Sequence, residues 1–202
     1  MHYFIFASKD SYITENSADH IVQYPNSTNK NYGSDVIVEL KKEFSSSYDS
    51  SPYNVSRMLT QFDYTDVSAS IVDGTITSPK FYLRYYEVEG QSESDKTYSL
   101  SSNPISQSWE EGVGKHFDNP KTKKGVTWTG SLWTKTASGT SGSRTTGGGT
   151  WTTGSNSSQS FANQSGDIEM DVTDIVNNHL DSTISNYGFI TKFSGSYEDD
   201  GT

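Results

Sequence analysis

The chain has 202 residues, with 15 Lys and Arg against 25 Asp and Glu, and carries a net charge of −10. It contains no cysteine, which excludes disulfides and cysteine-containing zinc sites. No apolar run approaches the roughly 18 residues of a membrane-spanning helix, so no membrane insertion is expected. The acidic charge disfavours binding to phosphate backbones, so no nucleic-acid partner is expected either.

Only 31% of the residues are hydrophobic, and the chain is rich in small residues, with 34 Ser, 22 Thr and 17 Gly. However, 13 Tyr, 9 Phe and 4 Trp argue against disorder. Large rings supply a core when aliphatic residues are scarce, because each buries about 150–250 Å². This composition favours sheets with one solvated face.

Short apolar runs separated by polar turns predict strands in the first 65 residues, at 3–7, 11–14, 36–40 and 56–63. A short helix is predicted over 67–72, ended by Asp73-Gly74. Residues 75–89 form the clearest strand pattern, because rings alternate there on both faces. That pattern predicts a central strand buried on both sides, with the alternating residues Phe81, Tyr82, Leu83, Arg84, Tyr85 and Tyr86.

Further strands are predicted from 98, from 125, over 168–172 and over 187–193. A short helix is predicted over Thr173–Leu180, with Thr173 or Asp174 as its N-cap. Residues 134–160 are almost entirely Ser, Thr and Gly, which predicts an excursion that is either flexible or a thin hairpin. The whole pattern predicts an all-β fold, a β-sandwich of jelly-roll type with one or two short helices, as a single domain over 1–202.

The first and last residues of the sequence each support a prediction about targeting or chain length. Residues 1–10 lack the basic start and the apolar stretch of a secretory signal. The polar residues 198–202 fit a continuation beyond residue 202 as well as they fit a natural terminus.

Five short motifs follow one another along the chain: Ser8–Ile13 with Asn31-Tyr32-Gly33, Ser56–Asp63, Trp109–Gly112, Gly125–Trp128, and Asp171–Val176 with Asn186–Phe189. In this order they resemble motifs of the DNRLRE-type β-sandwich domains. The DNRLRE hexapeptide itself is absent, and the late Trp of the family is replaced by His179 or Leu180. The resemblance implies structural roles for Asp10 and Phe62, which lie within these motifs.

Members of this family occur in secreted bacterial surface and carbohydrate-associated proteins, and similar domains occur in tailed-phage structural proteins. The missing signal and the Ser/Thr/Gly-rich loops favour the phage branch. The resemblance therefore implies a non-enzymatic virion component of the neck, tail, fibre or head decoration, in a homo-oligomer with other virion proteins. The alternative is an extracellular or cell-surface carbohydrate-binding module or adhesin that uses exposed aromatic residues.

Four tryptophans are the main candidate site residues. Trp109 and Trp128 are predicted to be core residues. Trp133 and Trp151 flank the Ser/Thr/Gly segment, and they remain candidates for glycan binding, for packing or for a subunit interface. Arg57 begins a strand with apolar neighbours, which favours an ion pair with a loop carboxylate.

Carboxylates offer the other candidates. Asp171 and Thr173 are predicted to cap the second helix. Four aspartates from separate loops, Asp10, Asp19, Asp35 and Asp63, could gather around a structural calcium ion. Glu110 and Glu111 are adjacent and on a strand would point to opposite faces, which argues against paired-carboxylate catalysis. The four histidines are scattered and predict no metal site. No catalytic residue is predicted, and no cofactor other than the structural calcium ion.

Overall fold

The structure is a computed structural model that describes residues 2–14, 30–44, 53–86, 97–118, 120, 122, 124–128, 148–162 and 167–194. Within these ranges the chain forms eight strands and two short helices. In chain order they are β1 (Lys9–Thr14), β2 (Lys42–Phe44), β3 (Tyr53–Gln61), α1 (Thr65–Val72), β4 (Tyr82–Tyr85), β5 (Thr97–Pro104), β6 (Ser157–Ala162), β7 (Ile168–Asp171), α2 (Thr173–Leu180) and β8 (Phe189–Phe193).

The strands form two sheets, and every pairing is antiparallel. The large sheet has the order β1-β3-β8-β5-β6, and β2 pairs with the first residues of β3. The small sheet consists of β4 and β7. The predicted all-β sandwich with two short helices is confirmed, whereas its jelly-roll topology stays a prediction.

The central strands of the large sheet, β3 and β8, are buried on both faces. Leu59 and Ile190 belong to one hydrophobic cluster, and the neighbouring Phe189 belongs to the other. Because successive side chains of a strand point to opposite faces, one strand contributes side chains to both clusters. Strands with two buried faces therefore do occur, but not at the predicted place.

The prediction of a doubly buried strand over 75–89 is wrong for residues 75–86, while residues 87–89 lie outside the described residues. The strand is limited to Tyr82–Tyr85, and it has one inner and one outer face. Leu83 is buried, whereas Tyr82 is 53% exposed and Arg84 is exposed. The outer rings therefore belong to a solvent-facing surface.

Each face of the large sheet has a different cover. Loop residues Trp109, Val126 and Trp128 cover one face. The small sheet and α2 cover the other, with Leu83, Met170, Val172, Ile175 and Val176 in the second cluster.

Hydroxyl groups connect the two sheets inside the second cluster. Tyr85 Oη lies 2.9 Å from Thr191 Oγ1 and 3.3 Å from Thr60 Oγ1. Thr191 Oγ1 also lies 2.6 Å from Ser102 Oγ. Burial raises the pKa of Tyr85, so the phenol stays protonated and available as a donor.

Several predicted elements differ from the structure. Residues 3–7, 36–40 and 125–128 form no strand, because none of them pairs with a described strand. In the last of these segments, Val126 N–H donates to the carbonyl of Glu110, another loop residue. Residues 134–147 lie outside the described residues. The end of the predicted excursion belongs to β6, which pairs with β5, so its last residues are not a flexible segment.

No helix in the part of the chain that the structure describes has the length and apolarity to cross a bilayer.

Candidate functional site

A cleft of about 1190 Å³ opens beside β4. Its walls include residues 2–7, which we call the aromatic segment, and β4 itself. The aromatic segment belongs to no helix or strand, and it leaves Tyr3, Phe4 and Phe6 58%, 70% and 85% exposed. Only Ile5 of this segment packs on the second cluster. The cleft is therefore lined by apolar side chains that remain open to solvent.

The outer face of β4 contributes Tyr82, Arg84 and the adjoining Tyr86 to this cleft. Arg84 Nε lies 3.0 Å from a carboxylate oxygen of Glu169 on β7, and the pair is partly exposed. The guanidinium carbon also lies 5.4 Å from the ring centroid of Tyr86. The ion pair and the Tyr86 ring together hold Arg84 in place, on a surface that combines rings with hydrogen-bonding groups.

Tyr64 and Phe189 line the inner part of the cleft. Tyr64 stacks on His179 of α2, with ring centroids 6.0 Å apart. Among the described residues neither the Tyr64 hydroxyl nor either His179 ring nitrogen has a hydrogen-bond partner. Burial lowers the pKa of His179 to about 4 and raises that of Tyr64. Both groups are therefore neutral at pH 7.

Three of the predicted site residues meet on the opposite face of the large sheet. Arg57 is buried, and its guanidinium carbon lies 4.6 Å from the Trp128 ring and 5.2 Å from the Trp151 ring. Arg57 also donates a hydrogen bond to the carbonyl of Gly148. Arg57 therefore contacts a carbonyl and two indoles, and its ion pair with a loop carboxylate stays a prediction.

Trp151 is half-buried in this cluster. Lys192 Nζ lies 5.1 Å from its ring centroid, and its backbone forms an isolated bridge with Ile105. Trp151 therefore packs against the cluster that contains Trp109, Val126 and Trp128. Trp133 lies outside the described residues.

The loop that carries Trp109 contacts strand β1, where Lys9 Nζ lies 3.5 Å from the Trp109 carbonyl. Trp109 is buried, and its indole N–H donates to the carbonyl of Tyr187 at 2.8 Å. The backbone N–H of Asp10 donates to Oε1 of Glu111 at 2.9 Å. Burial, and then the charge of Glu111, raise the pKa of Asp10.

The remaining predicted structural residues surround α2. Phe62 packs edge-on against Phe189 in the second cluster. Asp171 accepts a hydrogen bond from the Thr173 backbone at 2.9 Å, and hydrogen bonds from Thr173 lower its pKa. The N-cap position is Val172 rather than Thr173 or Asp174. Thr173 Oγ1 instead accepts from the backbone N–H of Phe81, which ties α2 to the start of β4.

The four aspartates proposed for calcium have separate partners where the structure describes them. Asp63 accepts from the backbone and hydroxyl of Thr65 at the start of α1. Asp35 accepts from the Tyr12 hydroxyl and from the backbone of His116. Asp19 lies outside the described residues. Across the described ranges no three His, Asp or Glu side chains are grouped so as to hold a metal ion.

Sequence reasoning missed the role of Asn31, which is fully buried among the loops. Its Nδ2 donates to the carbonyls of Glu111 at 2.7 Å and Val126 at 2.9 Å. Its Oδ1 accepts from the backbone N–H of Gly114 at 2.8 Å and of Gly33 at 3.2 Å. One side chain thus joins three loops. In the sequence the Asn31-Tyr32-Gly33 motif indicates a turn and contributes to the family resemblance, but neither interpretation points to the hydrogen bonds of the Asn31 side chain.

Asn186 repeats this local geometry in the second Asn-Tyr-Gly motif. Its Oδ1 accepts from the N–H of Gly188 at 3.2 Å, and its Nδ2 donates to the carbonyl of Phe62 at 2.9 Å. The recurrence of the motif in the sequence was the signal that could have identified both residues.

Comparison with known protein families, curated proteins and solved structures gives no match for this chain. Its function is therefore inferred from the residues described above.

Proposed function

We propose that this chain is a non-enzymatic structural component of a tailed-phage virion, one that acts through contacts with neighbouring subunits. The observation that carries the proposal is the apolar surface at the cleft beside β4, where Phe4 and Phe6 are mostly exposed. Exposed rings next to an apolar cleft are typical of an interaction surface.

A second group of exposed apolar residues supports the same proposal. Val36 and Ile37 are exposed on one loop, and Val113 and Phe117 on another. Hydrogen bonds between the two loops, from Ser34 N–H to the Gly114 carbonyl and from His116 N–H to Asp35, hold them together. A subunit with apolar side chains on its surface loops is suited to assembly, while the net charge of −10 limits non-specific association.

Light scattering of the purified chain over the micromolar range tests the assembly. We expect a discrete multiple of the 22.3 kDa chain mass. A monomer at every concentration would count against assembly through this chain's own surfaces. The virion location has its own test, since peptides of this chain should then co-purify with intact phage particles through a density gradient.

The second candidate function is carbohydrate binding, and it is favoured by the outer face of β4. Tyr82 and Tyr86 are 53% and 65% exposed, and positions four apart on a strand are roughly 13 Å apart. Arg84 and Glu169 lie between them and offer a donor and an acceptor for sugar hydroxyls. Aromatic rings flanking polar groups suit the faces of sugar rings, so this role is assigned to Tyr82 and Tyr86 rather than to Trp151.

A glycan array with the unmodified chain and the Tyr82→Ala/Tyr86→Ala variant tests this candidate. We expect any specific glycan signal to disappear in the double variant, while a Phe117→Ala control keeps it. Equal signals in all three proteins would reject this surface as the glycan site.

A further inference from the structure

In the part of the chain that the structure describes, strand β4 has an open edge that faces away from its partner β7. Among the described residues β7 is its sole strand partner, and Tyr82 lies opposite Asp171. Val172 N–H donates to the carbonyl of Phe81, so the bonds flank the Tyr82–Asp171 pair rather than join it. In an antiparallel ladder such a pair directs its own N–H and C=O groups outward. The backbone groups of Tyr82 and Arg84 therefore point to the side without a strand.

The aromatic segment, in turn, has no strand partner among the described residues. Its sequence is rich in the residue types that favour strands, with Tyr3, Phe4, Ile5 and Phe6 in succession. No backbone hydrogen bond joins residues 2–7 to any other described residue, and the first such bond at this end is from Ser8 to Gln61. Strand-forming residues thus lie beside an open strand edge without pairing to it.

We propose that the aromatic segment of one copy adds as a strand to the open edge of β4 in a second copy. The inference rests on the proposed function, because it specifies how the subunits of an assembly join. In its own chain the segment lines the cleft without pairing to β4, and the bond from Ser8 to Gln61 fixes where it leaves the large sheet. The same segment of a second copy is not tied to the large sheet beside this β4, so the Ser8–Gln61 bond does not limit how it approaches the open edge. Such strand addition satisfies backbone groups and apolar side chains together.

The size of the contact and its charge agree with a second copy as the occupant. An aromatic side chain has a surface of about 150–250 Å². At the exposed fractions of Tyr3, Phe4 and Phe6, each segment leaves roughly 400 Å² of ring surface accessible to solvent. Two reciprocal exchanges, each covering a similar area of cleft, would bury roughly 1,600 Å², the size of a standard specific interface. The segment contains no carboxylate, so its docking brings no negative charge to Glu169 on a chain of net charge −10.

Because the chain contains no cysteine, disulfide cross-linking tests this directly. Single variants with cysteine at position 3, 4, 5 or 6 are each mixed with Tyr82→Cys under mild oxidation, and the linked peptides are identified by mass spectrometry. Only an interchain contact can link two different single variants. We expect links at alternate positions, either Tyr3 and Ile5 or Phe4 and Phe6, because strand side chains alternate between faces. Phe117→Cys, an exposed position outside the cleft lining, is the control and should not link to Tyr82→Cys.

Equal linking at all four positions, or none, overturns the strand exchange. Light scattering on the unmodified chain and on Phe4→Ser/Phe6→Ser separates this failure from that of the proposed function. An oligomer that survives the double substitution and gives no alternating links keeps the assembly and rejects the exchange. A chain that is monomeric before any substitution rejects both. Loss of the oligomer in Phe4→Ser/Phe6→Ser but not in Phe117→Ser supports the exchange.

Discussion

Replacing Asn31 by alanine tests whether one buried amide holds the loop-covered face of the large sheet together. The substitution removes four hydrogen bonds and leaves the carbonyls of Glu111 and Val126 and the N–H of Gly114 without their partner. Gly112 and Gly114 allow the backbone to approach so closely that a Cβ at either position would overlap Asn31. The loops therefore have little room to rearrange around the shortened side chain.

The expected cost follows from these bonds. A net hydrogen bond contributes about 1 kcal/mol, and a buried group left unpaired costs about 1–3 kcal/mol. Three of the four bonds join distant parts of the chain, whereas the bond from Gly33 is local. We expect Asn31→Ala to lower the free energy of unfolding by about 3–5 kcal/mol. That is a large part of the roughly 5–15 kcal/mol of a typical domain.

Urea denaturation followed by tryptophan fluorescence measures this change, because Trp109 and Trp128 belong to the same loop-covered cluster. Asn177→Ala is the matched control, since Asn177 is exposed on α2 and its replacement should change stability by about 0.5 kcal/mol or less. If Asn31→Ala costs less than about 1 kcal/mol at an unchanged denaturant slope, Asn31 is not the residue that joins these loops.

Three further predictions concern the ionisable side chains of His179, Arg57 and Asp10. His179 is protonated near pH 6.5 in the unfolded chain but only near pH 4 in the folded chain. The free energy of unfolding should therefore fall by on the order of 2 kcal/mol as the pH drops from 6.5 to 4. His179→Leu should remove that part of the pH dependence in denaturation curves. Arg57→Lys should cost about 1–2 kcal/mol in thermal unfolding, because an ammonium group cannot stack its plane between the Trp128 and Trp151 rings; an unchanged melting temperature would contradict this. Glu111→Gln should lower the pKa of Asp10 in an NMR titration, because it removes the neighbouring negative charge.

Elements with their own periodicity were predictable from the sequence. The alternation in β3, β7 and β8 and the polar start of α2 all led to elements at nearly the observed bounds. These signals are local, because a strand or a short helix records its exposed and buried faces in its own residues. The sandwich followed from the number of such strands.

The loop-covered face could not be predicted in the same way. Asn31 bonds to residues 80 and 95 positions away, and no local pattern records such a partner. Val126 and Trp128 have the composition of a strand but cover the sheet as loop residues. Their apolar character indicated burial, whereas the kind of backbone that carries them depends on the sheet they cover.

The aromatic segment is a different kind of discrepancy. Its residues predict a strand, but within the described ranges they have no backbone partner beside β4, and β4 has no strand neighbour on that side. A buried loop explains the failed strand prediction at 125–128, but it does not explain this one, because Phe4 and Phe6 are largely exposed. Strand propensity reflects the packing that a segment finds in its sheet, and that sheet need not come from one chain. Strand exchange between copies accounts for the composition of the segment and for the open edge with a single contact.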